Sequence, residues 1–81
     1  MPVINVPPDG QIYGLGQIGG QLHIYNTGNP PGGNTTYNLT ILNVGAFMGQ
    51  LLAPGFMQTF LPAGNITYIQ NMGPSKLQAL F

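Results

Sequence analysis

The chain has one aspartate, Asp9, one histidine, His23, and one serine, Ser75, the residue types of a nucleophilic triad. Such a triad needs a base that takes the serine proton and an acid that orients the base. Ser75 instead follows Pro74 in a turn signal, without the strand-to-helix elbow that exposes a nucleophile, and Asp9 follows two prolines in a linker. The three read as chance company. Gly14-Leu15-Gly16-Gln17-Ile18-Gly19 spells the dinucleotide fingerprint, whose glycines bring a pyrophosphate to a helix N-terminus. That chemistry requires a helix after the motif and an acid about twenty residues on. Here Leu22 and Ile24 continue a strand pattern and no acid follows Asp9, so the segment reads as a glycine-rich strand or bulge.

Other chemistries fail for lack of partners. One histidine, one carboxylate and no cysteine leave no donor set for a metal, and His23 reads as a polar-face strand residue. The sequons Asn34-Thr35-Thr36, Asn38-Leu39-Thr40 and Asn65-Ile66-Thr67 are what a chain rich in Asn and Thr contains by composition. Four tyrosines and four phenylalanines could stack on bases. Tracking phosphates takes a basic groove, however, and Lys76 is the sole cation. The aromatics therefore read as core and subunit-contact residues. Uncharged glycans are a further partner that Tyr, Asn and Gln could hold. No catalytic residue, metal, cofactor or nucleic-acid partner is expected, and the chain reads as a non-enzyme.

The elements are marked by dense turn signals. They stand at Pro7-Pro8-Asp9-Gly10, Gly19-Gly20, residues 28–33, Ala53-Pro54-Gly55, Pro62-Ala63-Gly64 and Asn71-Met72-Gly73-Pro74. Between them lie runs of strand length with period-two alternation. Tyr37, Leu39 and Ile41 face inward against Thr36, Asn38 and Thr40; Leu22 and Ile24 oppose His23 and Tyr25; Leu77, Ala79 and Phe81 share one face. Residues 56–61 also alternate. The stretch 44–52 could turn helical, but two glycines and short length favour a strand or irregular crossover. Several short strands at close spacing predict an all-β fold, a small β-sandwich or jelly-roll of about six to eight strands.

Two charged side chains in 81 residues leave a surface that hydrates but does not repel copies of itself. At 8.6 kDa, without disulfides, such a domain gains stability by burying more surface in an oligomer. Residues 1–10 read as an extended N-terminal arm and 11–81 as the sandwich domain. Val3, Ile4 and Val6 are the apolar handles of the arm, and Pro7 and Pro8 set its direction. The expected acceptor is a sheet edge, near Gly14, Gly16 and Gly19 or at the C-terminal strand with Leu80 and Phe81.

From Gly20 onward, Leu22–Gly28 forms a strand and turn before the Tyr37–Leu42 strand. The Ala53-Pro54-Gly55 turn follows, then strands over Phe56–Leu61 and Asn65–Gln70 and a last strand ending at Phe81. With the short N-terminal connector, this order is similar to the bacterial endospore appendage (Ena) subunits. The resemblance implies a jelly-roll-like sandwich that polymerises into fibres through its connector. The connectors of that family carry cross-linking cysteines; this chain has none, so its contacts would be non-covalent. The expected function is a structural, self-assembling subunit of an extracellular filament or sheath. The alternatives are a viral capsid or decoration protein and a small carbohydrate-binding module. No apolar run reaches the ~18–20 residues of a membrane span. The start at Met1 without a basic, apolar leader predicts an extracellular, cell-surface or spore-surface location reached without a visible signal, or a virion.

Overall fold

The computed structural model describes residues 2–81, and these form eight strands and no helix. In chain order they are β1 (Val3–Val6), β2 (Ile12–Ile18), β3 (Leu22–Asn26), β4 (Thr35–Ile41), β5 (Gly45–Leu52), β6 (Met57–Phe60), β7 (Asn65–Gly73) and β8 (Leu77–Leu80). The stretch 44–52 is thus a strand. One turn signal misleads: Asn71-Met72-Gly73 completes β7 instead of ending it. A register shift where Thr36 and Tyr37 pair with Gly73 and Asn71 absorbs the extra residue.

The strands make two antiparallel four-stranded sheets in the orders β1-β8-β3-β6 and β2-β7-β4-β5. β1 pairs with β8, β2 with β7, β3 with β6 and β4 with β5, as in one long hairpin. Rolling that hairpin adds the β3–β8 and β4–β7 pairs. This is the strand order of a jelly roll, so the all-β sandwich expected from the alternation is the fold.

Period two decides what lies between the sheets. Leu22 and Ile24 of β3, Tyr37, Leu39 and Ile41 of β4, Ile69 of β7 and Leu77 and Ala79 of β8 are buried, and β2 adds Leu15 and Ile18. Polar groups in the interior tie one sheet to the other. Asn26 Nδ2 on β3 donates to the carbonyl of Leu52 on β5 at 2.7 Å. Asn71 Nδ2 on β7 donates to the carbonyl of Val6 on β1 at 2.9 Å. The Tyr37 hydroxyl donates to Gln58 Oε1 on β6, whose Nε2 donates to Gln50 Oε1 on β5 at 3.1 Å. Among the described residues no buried side-chain nitrogen or oxygen lacks a partner.

The loop after β3 leans on the loop after β7. A methyl group at Gly32 would lie 2.7 Å from Cβ of Pro74 and closer still to its Cγ. The Pro74 ring cannot swing aside, because it is held between Gly73, bonded to Asn71, and buried Ser75. Gly32→Ala is therefore expected to lower stability by about 1–3 kcal/mol. Gly20→Ala, with nothing within 4 Å of its added methyl, should stay within about 1 kcal/mol of the parent. Urea unfolding of the two variants checks the contrast, and equal midpoints would contradict it.

Candidate functional site

The chemistry-bearing side chains do not converge. Ser75 is fully buried, and its hydroxyl donates to the carbonyl of Pro30 at 2.6 Å. Its amide donates to Thr35 Oγ1, so it serves as a spacer between two loops. His23 sits on the outer face of β3, with Nδ1 2.8 Å from Thr59 Oγ1 of β6. Asp9, in the loop after β1, accepts from the Tyr13 hydroxyl at 2.6 Å and from the Gln11 amide at 2.9 Å. The fingerprint-like glycines lie along β2 and just past its end, with no helix after them.

Those bonds fix the titration behaviour. Tyr13 first, then the Gln11 amide, holds the Asp9 carboxyl below its ordinary range. Its contribution is present above about pH 4 and is lost as pH falls through the lowered value. Burial pushes Tyr37 well above the ordinary tyrosine range. Its contribution is complete below about pH 10 and is lost as pH rises beyond. The urea midpoint should therefore fall at the acid end, below about pH 4, and at the alkaline end, above about pH 10. A midpoint that stays level through both ends would contradict this picture.

What the fold does assemble is a set of sheet edges. β1 and β6 bound one sheet, β2 and β5 the other. Both edge strands of the second sheet are bulged. β2 carries an extra residue between Gly14 and Gly16, and β5 an extra residue opposite Tyr37 and Leu39. Gly16 (φ 78°) and Gly49 (φ 64°) supply the left-handed backbone at the two kinks. Kinked edges receive an added strand poorly, which counts against Gly14, Gly16 and Gly19 as the acceptor. β1 and β6 pair with their neighbours without register shifts, and neither contains a charge or a proline.

The expected arm is itself an edge strand. Residues 3–6 lie against the body because Val6 and Ile4 face inward, Val6 fully buried and Ile4 packed against the core. Val3 faces outward and is half exposed. The partner of β1 is β8, with Val3 opposite Leu80, Ile4 opposite Ala79 and Val6 opposite Leu77. The Phe81 amide donates to the carbonyl of Pro2 at 3.1 Å. β8 lies between β1 and β3, so Leu80 and Phe81 do not form an open edge; within one chain the arm already occupies that place. Pro7 and Pro8 form the bend that carries the chain to β2, with Pro8 against Gly73.

Asn71 was not legible as a site residue, because Asn before Met-Gly-Pro reads as a turn. It clamps the end of the arm by donating to Val6 and, at 2.8 Å, to the carbonyl of Ser75, while its Oδ1 accepts from the Gly73 amide. The signal was available in the alternation. Thr67, Ile69 and Asn71 share one strand phase, and a polar residue at an inward position implies a buried hydrogen-bond task.

Many large apolar side chains remain outside. Ile12, Met48, Leu51, Phe56, Met57 and Leu61 are each more than half exposed. Among the described residues no group of three or more His, Cys, Asp or Glu could hold a metal ion, and no helix is long and apolar enough to cross a membrane. Compared with known proteins, the chain matches no protein-family model, no curated protein and no solved structure.

Proposed function

We propose that this protein is a structural subunit that polymerises with its own copies into an extracellular filament or sheath, with β1 as the joining element. The pairing of β1 on β8, at an edge guarded by no charge, carries the reading. A β1 strand released by the Pro7–Gly10 hinge and laid on the β8 of a neighbour would remake the same four residue pairs in trans. Direct addition is also open to it. Directions alternate across β1-β8-β3-β6, so a translated copy presents β1 antiparallel to β6. Either contact is head-to-tail, and a head-to-tail contact that does not close builds a fibre. The likeness to endospore appendage subunits belongs to this proposal, as does a cell- or spore-surface location.

The jelly-roll order favours one second reading, a virion coat or decoration protein, since such domains also build capsids. Closed shells in place of fibres would select it. Saturable glycan binding by a stable monomer would select a carbohydrate-binding module.

Val3 and Asn5 point outward on β1, and a lysine at either would guard the edge without touching the core. Val3→Lys and Asn5→Lys are expected to keep the parent unfolding midpoint within about 0.5 kcal/mol. Both should shift assemblies toward monomer in light scattering. Unchanged assembly in both variants would count against β1 as the joint.

A further inference from the structure

The two unguarded edges, β1 and β6, lie at opposite ends of one sheet, three strand spacings or about 14 Å apart. An edge is joined through the backbone groups that point away from its neighbour, and the hydrogen bonds of this sheet locate them. In an antiparallel ladder, opposed residues alternate between pairs that exchange hydrogen bonds and pairs that do not. The Phe81 amide donates to the carbonyl of Pro2 in continuation of the β1–β8 register, so Pro2, Ile4 and Val6 hold the bonded positions. The amide and carbonyl of Val3 and of Asn5 therefore face the open side. On β6 the Asn26 amide donates to the carbonyl of Phe56 in continuation of the β3–β6 register, so Phe56, Gln58 and Phe60 face β3. The open groups there belong to Met57, Thr59 and, one residue beyond the strand, Leu61.

On both edges the open backbone groups sit on residues whose side chains point outward, while Ile4, Val6, Gln58 and Phe60 point inward. An antiparallel β1–β6 ladder thus matches backbone and sidedness together, and the side chains choose among its registers. Setting Ile4 opposite Phe60 joins two residues packed against the edges of their own cores. The same register sets Val3, 51 % exposed, opposite Leu61, 67 % exposed, and Asn5 opposite Thr59. Val6 then faces Gln58, whose amide is already bonded to Tyr37 and Gln50. Moving the register by two residues in either direction puts Asn5 beside Met57 or Leu61, polar against apolar.

Pairs of like edges fit less well. The β1–β1 register that uses both open residues sets Val3 beside Asn5, and a β6–β6 pair leaves both β1 edges uncovered. A β1–β6 joint covers both edges of every copy.

We propose that β6 with Leu61 is the edge that receives β1 of the next copy, with Ile4 opposite Phe60. This contact rests on the self-assembly reading and assigns its receiving surface. Each β1 stays on its own β8, so no arm is exchanged. The joint is heterologous, and the twist of the sheet turns each copy against the last, so it propagates as a helical filament.

The chain has no cysteine, and Val3 and Leu61 of one chain are too far apart for a disulfide. The full-length Val3→Cys/Leu61→Cys protein is held under assembling conditions and oxidised with copper–phenanthroline. The expected product is a ladder of covalent oligomers on a non-reducing gel. Val3→Cys/Val44→Cys, with its second thiol on the exposed turn before β5, controls for random collision and should give no ladder. In parallel, Leu61→Lys should raise the concentration needed for assembly by at least about tenfold with an unchanged unfolding midpoint. Fibres that form without the ladder, or that tolerate Leu61→Lys, would overturn β6 as the receiving edge and leave arm exchange onto β8 standing. Closed dimers broken by Leu61→Lys but not by Val3→Lys would show β6 paired with a second β6 and overturn it too. Monomers at every concentration would overturn both the joint and the self-assembly reading.

Discussion

Tyr37→Ala is expected to lower stability by about 3–5 kcal/mol, the range for removing a buried aromatic. Tyr37 is fully buried on β4, a central strand of its sheet. Its ring meets Phe60 of the opposite sheet edge-on, with centroids 6.5 Å apart and planes at 86°. Its hydroxyl begins the polar chain through Gln58 to Gln50 that joins the edges of the two sheets. The alanine variant opens a cavity and leaves Gln58 Oε1 without its donor. Against a total of ~5–15 kcal/mol for a domain, that loss is a large share of the stability. Tyr37→Phe keeps the ring and should cost about 1–2 kcal/mol. Chemical denaturation of both variants separates packing from hydrogen bonding. Equal losses would show that the polar chain, and not the ring, dominates.

Asn71→Ala is the second large effect. The substitution removes two donors and one acceptor at a fully buried position, leaving the carbonyls of Val6 and Ser75 and the amide of Gly73 without their partner. An unsatisfied buried group costs about 1–3 kcal/mol, and the three are not independent, so about 3–4 kcal/mol is expected. Asn71→Asp tests the cause. A carboxylate of the same shape accepts from Gly73 but cannot donate to the two carbonyls, so it should be at least as damaging at neutral pH. An aspartate variant as stable as the parent would remove Asn71 from its role as the clamp on the arm. Because Val6 ends β1, amide exchange in residues 3–6 should accelerate more than exchange in β3 or β4.

The fold was legible where side chains alternate. Leu22-Ile24, Tyr37-Leu39-Ile41 and Leu77-Ala79 announce strands and their inward faces, because burial of one face requires period two. Glycine–proline clusters mark most loops for the same local reason, and the loop at residues 28–33 is one of them. Partners were not legible. Nothing in Val3–Val6 says that it lies on β8 and not on a neighbour, since register depends on residues seventy positions away. The tight turn at residues 42–44 also escapes composition. It depends on Asn43 at φ 65°, a conformation asparagine tolerates without being its signature. The exposure of Phe56 is likewise a tertiary fact. Phe56, Phe60 and Phe81 look alike in the sequence, and only the rolled topology leaves Phe56 outside.

Negative-stain electron microscopy of the parent chain, held for days at high concentration beside the Val3→Lys variant, most directly tests assembly through the arm. Light scattering and a circular-dichroism spectrum establish that each sample is folded. Ordered filaments from the parent chain and dispersed, folded particles from Val3→Lys are the expected result. Dispersed, folded monomers from the full chain at every concentration would contradict it.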